Sequence, residues 1–274
     1  MSKKFIKSLI SNIIAWIISI ISLAPLLLIL FNSLKTKLNA ADMNLDLPGF
    51  PIQWDNYTVV IEKGKLLISF FNSCKYTIGS VLICCIFSSL AAYVLSRNRT
   101  KLSKLIYLFI VLGITMPVNY VALMKVMLFL HLHNTQLGII LLYAAMQIPF
   151  SVFLIYAFIA KIPVELDEAG IIDGCSPIRL FVTIIFPLIK PAIATVIVLT
   201  FLNNWNEFIS PLYFLSSSTK WPMTLSVYNF FGMFFKDWNL VCADIVLTSI
   251  PVILIYLFGQ KYIVSGMTAG AVKG

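Results

Sequence analysis

Glu165-Leu166-Asp167-Glu168-Ala169-Gly170-Ile171-Ile172-Asp173-Gly174 is an acidic island in an oily chain. Four of the chain's 11 carboxylates fall inside it, and long apolar segments flank it on both sides. Buried in hydrocarbon, such a run loses its solvation without gaining partners, so it must face water between two membrane segments. Its pattern is too ordered for a spacer. It reads as a handle for a soluble partner.

The surrounding composition fits that placement. The 274 residues are 60% hydrophobic and 11% charged, with a mean hydropathy of +0.95; ordinary soluble domains carry about 25% charged residues. This is an integral membrane protein. Cys74, Cys84, Cys85, Cys175 and Cys242 are odd in number and lack metal-ligand spacing. They read as small buried hydrophobes, without a disulfide framework, metal site or redox role. His131 and His133 have too few companions for a metal site. The formal charge of +9 sets membrane orientation rather than marking a nucleic-acid partner.

Six stretches match a helical crossing of about 20 apolar residues: 9–31, 76–95, 105–124, 137–160, 188–208 and 240–260. The expected fold is therefore all-α, a single polytopic domain over 1–274 with six transmembrane helices. Aliphatic runs without the alternation of β-barrel strands argue against a barrel. Pro25, Pro117, Pro149 and Pro251 fall inside spans and predict kinks. The first apolar stretch exceeds the roughly 7–15 residues of a signal-peptide core, and no small-residue cleavage site follows it, so it is expected to stay as a helix. Asp244 and Lys125 sit near span ends, where snorkelling to the interface is expected.

Basic residues orient the chain. Lys3, Lys4 and Lys7 precede the first span; Arg97, Arg99, Lys101 and Lys104 follow the second; Lys161, Arg179 and Lys190 follow the fourth; Lys261 and Lys273 follow the sixth. These 12 of 20 basic residues share one side. By the positive-inside rule, both termini and the acidic island are cytoplasmic in a cell (inner or plasma) membrane. The loop 32–73 lies outside; it reads as an extracytoplasmic contact or a segment resting on lipid headgroups.

The 161–187 loop reads as two helices around a tight turn. Pro163 opens the first, with Glu165, Asp167 and Glu168 at its positive end. Gly174 closes it as a left-handed residue. Ser176-Pro177 then supplies an N-cap and first-turn proline. Val164, Leu166, Ala169 and Ile172 are expected to form one apolar face.

At this point a family resemblance becomes specific. Glu168-Ala169-Gly170, three residues, Gly174, nine residues, Ile184, one residue and Phe186-Pro187 resemble the EAA loop of ABC importer permeases, with Gly170 in place of the second alanine and Phe186 in place of leucine. Asn72-Ser73, Ala91-Ala92-Tyr93 with Arg97, Trp205-Asn206-Glu207-Phe208 with Pro211-Leu212, and the tail from Gln260 to Gly274 are similar to the carbohydrate-uptake, maltose-type subfamily. The resemblance implies a six-span permease subunit forming half of a heterodimeric pore with a second permease. It also implies two copies of an ATP-binding subunit and an extracytoplasmic sugar-binding protein. The motif singles out Glu168, Ala169, Gly170, Gly174, Ile184 and Pro187 as coupling residues, and the neighbouring carboxylates Glu165, Asp167 and Asp173 are expected to orient the same contact. No G-x-x-x-x-G-K-[ST] phosphate loop occurs in the chain, so no cofactor is expected here and ATP belongs to the partner ATPase.

Asn203-Asn204-Trp205-Asn206-Glu207 is a polar cluster at the far end of the fifth span. Amides and a carboxylate beside an indole suit the hydroxyls and C–H faces of a sugar. Equally, the asparagines can hold helices together, with Trp205 in the interfacial belt. The competing function is a self-sufficient secondary transporter or channel, which predicts midspan ionisable residues or a duplicated half; neither stands out. No nucleophile–base pair or metal cluster suggests an enzyme.

Overall fold

The computed structural model describes residues 3–231 and 236–271, with side chains over 8–231 and 236–261. The regular elements are α1 (Lys3–Ser33), α2 (Asp55–Lys63), α3 (Leu66–Arg97), α4 (Lys101–Leu112), α5 (Tyr120–Phe129), α6 (Gln136–Ile159) and α7 (Glu165–Ile172), then α8 (Pro177–Leu188), α9 (Lys190–Trp205), α10 (Ile209–Phe214) and α11 (Trp238–Ala271). Among the described residues no strand forms beyond an isolated bridge between Phe231 and Lys236. Contacts group into two compact units, Met1–Ile68 with Leu225–Ile250 and Ser69–Thr224 with Pro251–Gly274, where one domain is expected from the sequence.

Among the described residues four helices are long and apolar enough to cross a membrane: α1, α3, α6 and α11. The bent pair α8–α9, with 77° between its members, makes a fifth when taken as one span. The expected continuous helix over 105–124 does not form. α4 stops at Leu112, and a new helix starts at Tyr120. Pro117 disfavours helix in the residue before it, and the Asn119 side chain accepts the Ala122 N–H at 3.0 Å to cap the restart. The span expected over 188–208 ends at Trp205, leaving Glu207 beyond the helix.

In the first unit, α1 buries none of its apolar window. Its last residues enter a polar knot. The Lys35 ammonium donates to Asn32 Oδ1 at 3.2 Å, Asn44 O at 3.1 Å and Asn44 Oδ1 at 2.5 Å. Asn56 donates to the carbonyls of Ser33 and Lys35 at 2.8 and 2.9 Å, and Asn239 donates to Asn56 at 2.8 Å. Asp244 does not snorkel. It is buried and accepts the Ser226 hydroxyl at 2.8 Å, because a short aspartate cannot reach water from a packed helix face. Lys125 is exposed as expected.

The second unit is built on α3, α6, α8 and α9. One core packs Cys84 and Ala92 of α3 against Val152 and Ile155 of α6 and Ile185 and Val196 of α8–α9. Another gathers Tyr76, Met127, Tyr143 and Phe214. All five cysteines are free thiols. α3 runs 32 residues without proline, whereas α1, α6 and α11 carry Pro25, Pro149 and Pro251 inside them.

Candidate functional site

The acidic island folds as a capped helix. α7 starts at Glu165, two residues after Pro163, which sets the entry rather than the first turn. Its three carboxylates crowd the positive end, as the helix dipole favours. At the other end Gly174 adopts φ +78°. Its N–H bonds the Ile171 carbonyl at 3.0 Å, and the Cys175 N–H bonds the Gly170 carbonyl at 2.9 Å. This paired closure is the Schellman arrangement, in which glycine supplies the left-handed residue without steric cost. Ser176 then caps α8, accepting the Arg179 N–H at 3.4 Å, with Pro177 in the first turn.

Only one edge of α7 faces its own chain. Asp167 and Gly170 are buried, while Glu165, Glu168, Ala169, Ile172, Asp173 and Gly174 are exposed. The expected apolar face of Val164, Leu166, Ala169 and Ile172 is thus turned outward, with Ile172 85% exposed. Gly170 is the close contact. A Cβ there would stand 2.9 Å from Ile184 Cδ1 and 3.1 Å from Leu180 Cδ1, the ends of two flexible side chains, so α7 lies close on α8 at this point. Ile184 is half-buried in this contact, and Pro187 is exposed. Within α8 the residues Phe181–Ile185, Ile184 among them, widen into one π-helical turn.

Asp167 departs from the other carboxylates. It receives the Tyr93 hydroxyl on Oδ1 at 2.7 Å and the Arg97 guanidinium on Oδ2 at 2.7 Å. Arg97 also donates to the Ile162 carbonyl at 3.2 Å. The last turn of α3 therefore holds both the start and the buried edge of α7. Sequence reasoning passed over Tyr93 and Arg97 as contacts. The available signal was their i, i+4 spacing at a helix end, which puts a phenol and a guanidinium on one face.

The polar cluster after α9 does not converge. Asn204 is buried and donates to Ser80 at 2.7 Å. Trp205 is buried, stacked on Phe201 at 5.4 Å and edge-on to Phe70 at 6.0 Å. Glu207 accepts the Ser210 N–H at 2.8 Å and so starts α10. Asn203 and Asn206 remain exposed. Asn203 donates to Gln147, midway along α6, at 3.2 Å. No cluster of His, Cys, Asp and Glu suited to a metal occurs among the described residues.

Residues 85–269 match the family described as the binding-protein-dependent transport system inner membrane component. The chain belongs to that family. As a permease it has full-length relatives: it is 33% identical over 274 residues, all of both chains, to the probable starch degradation products transport system permease protein AmyC of Thermoanaerobacterium thermosulfurigenes. Over 96% of both chains it is 33% identical to the melibiose/raffinose/stachyose import permease protein MelC of Bacillus subtilis (strain 168). It is 34% identical, over 93% of both, to the multiple sugar-binding transport system permease protein MsmG of Streptococcus mutans serotype c. A crystal structure of a bacterial ABC transporter involved in import of the acidic polysaccharide alginate shares the fold, with a TM-score of 0.84 at 23% identity over 96% of this chain and 98% of that one. The permease is therefore a multi-pass membrane subunit of an ABC importer. It is a transport component, not an enzyme, and works with ATPase and binding-protein partners.

Proposed function

We propose that this permease forms half of a heterodimeric pore for oligosaccharides, monosaccharides or polyols, cycling by alternating access. Two copies of an ATP-binding subunit drive it, and an extracytoplasmic sugar-binding protein delivers the solute. ATP is held by the partner, and this chain needs no cofactor of its own. Both termini and α7 are cytoplasmic. The observation that carries the reading is the construction of α7: a glycine-closed helix fixed to the permease body through Asp167 and Gly170, with Glu165, Glu168, Ala169, Ile172 and Asp173 turned outward. Such a helix passes on a rigid-body push, which a floppy loop would absorb. Apolar Ile172 supplies the anchor and the carboxylates the orientation of the ATPase contact.

The sugar assignment rests on the relatives named for starch products and for melibiose, raffinose and stachyose. Within this chain the substrate path narrows to Asn203 and Asn206, with Gln147 beside them. Exposed amides on a membrane helix favour a wet cavity over lipid, and amides pair with sugar hydroxyls. Asn204, Trp205 and Glu207 support this surface from behind.

The test is reconstitution. Vesicles holding both permeases and the ATPase, with ATP inside and binding protein outside, should take up labelled oligosaccharide, and vesicles holding this chain alone should not. Uptake by the lone chain refutes the reading. Orientation has its own check: a membrane-impermeant maleimide should label Ile172→Cys from the cytoplasmic side, above the background of the native cysteines. Labelling from the outside reverses the topology.

A further inference from the structure

α3 is clamped at both ends, and the two clamps lie on different functional segments. At one end Tyr93 and Arg97 hold Asp167 of α7. At the other end three side chains grip the segment that follows α10. Asn72 donates to the carbonyls of Thr219 and Trp221 at 2.9 and 3.1 Å, and Tyr76 donates to the Lys220 carbonyl at 2.7 Å. Ser73 accepts the Met223 N–H at 2.8 Å. Asn72 and Tyr76 are buried, as are Ser73 and Met223. These contacts go to backbone atoms, so they fix the path of residues 219–223 whatever side chains that segment carries. Lys220 reaches the Asn134 carbonyl at 2.6 Å, and the Trp221 indole donates to the Leu215 carbonyl at 3.2 Å, closing 215–223 into one ordered strap.

The helix between the clamps is suited to carry displacement. Asn72 and Arg97 stand about 37 Å apart along the axis, at a rise of about 1.5 Å per residue. Among the described residues α1, α6 and α11 are continuous but carry an internal proline, α4–α5 is parted by a break and α8–α9 by a 77° bend, whereas α3 is one 32-residue helix without proline. Each internal proline removes an i→i−4 backbone hydrogen bond from its helix, and α3 loses none in that way.

We propose that α3 is the transmission element of this importer, and that Tyr93, Arg97, Asn72, Ser73 and Tyr76 are positioning residues for transport. The first pair binds α3 to the helix the ATPase moves. The other three make the strap 215–223, on the opposite face of the membrane, follow. The ATPase thereby sets the position of an extracytoplasmic segment. This rests on the coupling reading of α7 above and adds where the motion goes.

The experiment uses the assembled importer in lipid nanodiscs, with its partner permease, ATPase and binding protein. Backbone hydrogen–deuterium exchange of 215–223 is read with and without a non-hydrolysable ATP analogue. In the native importer the analogue should shift exchange in the strap. Tyr93→Phe and Asp167→Asn should cut that response by about fivefold or more, the scale of typical coupling between linked sites. Exchange without nucleotide should stay as in the native importer, a result that general loosening would not give. Tyr76→Phe should instead raise exchange of the strap before nucleotide is added. If Asp167→Asn does not assemble, Tyr93→Phe, which removes one oxygen, carries the decision. A strap that never responds in the native importer, or responds fully in Tyr93→Phe, overturns the role of α3. Failure of the coupling reading shows separately, as native uptake in Gly174→Val whatever the strap does.

Discussion

Gly174→Val is the sharpest perturbation of α7, because the structure isolates its cost. At φ +78° an L side chain meets its own backbone, at roughly 1–2 kcal/mol per residue, and β-branching raises the cost further. Nothing lies within 4 Å of a Cβ added there, so no clash with a neighbour contributes. If the residue relaxes to negative φ instead, the closure of Gly174 on Ile171 and of Cys175 on Gly170 is lost, at about 0.5–1.5 kcal/mol for each bond. Either route weakens the capped form by about 1–3 kcal/mol, and one or two kcal/mol already changes a two-state ratio by a factor of about 5–30. The chain should still insert, since the spans are untouched. The assay pairs oligosaccharide uptake with ATP hydrolysis per assembled complex. Uptake should fall more than hydrolysis, and the order of damage should be Gly174→Asn, then Ala, then Val, following tolerance of left-handed backbone. Native uptake with Val, or equal loss with Asn and Val, refutes the argument that this turn transmits force.

The remaining predictions follow the same geometry. Gly170→Leu should separate α7 from α8, since even a Cβ meets Ile184 at 2.9 Å, and should lower uptake well below that of Gly170→Ala, measured by transport at matched protein level. Trp205→Ala should lower abundance and thermal stability by about 3–5 kcal/mol, the usual cost of emptying a buried aromatic site, and leave the ranking of sugars unchanged in competition uptake; an altered ranking would place the indole in the path. Asn203→Leu and Asn206→Leu should leave abundance unchanged and raise the KM or reorder the sugars, with transport kinetics as the check.

Local chemistry was the legible part of the chain. Gly174 and Ser176-Pro177 marked their own caps, because a left-handed residue and an N-cap are chosen by near-neighbour geometry. Charge-free runs placed the long spans for the same reason: length and hydropathy need no knowledge of the tertiary partner. What escaped depended on distant residues. Asp167 sits among three other carboxylates, and an eight-residue helix does not reveal which of them turns inward until Tyr93 and Arg97 are in view. The adjacent Asn203 and Asn204 read as one polar patch, yet helical rotation sends one toward Gln147 and the other toward Ser80. Pro117 announced a kink and delivered a break, because Asn119 was there to restart the helix. Asp244 was expected to reach water, but Ser226, 18 residues earlier, supplies its partner inside the fold.

No residue along the hydrophobic length of α1, 8–30, is fully buried in its own chain, and only Ala24, Leu28 and Ile29 near its end are half-covered. Its last turns are tethered, while residues 8–23 are exposed throughout and face acyl chains or a neighbouring subunit. The inclination of that helix across the bilayer is thus only loosely encoded by the polypeptide that carries it. It is chosen by bilayer thickness and by whichever protein comes to rest alongside, so the same segment can stand at one angle in a solitary subunit and another in the finished importer.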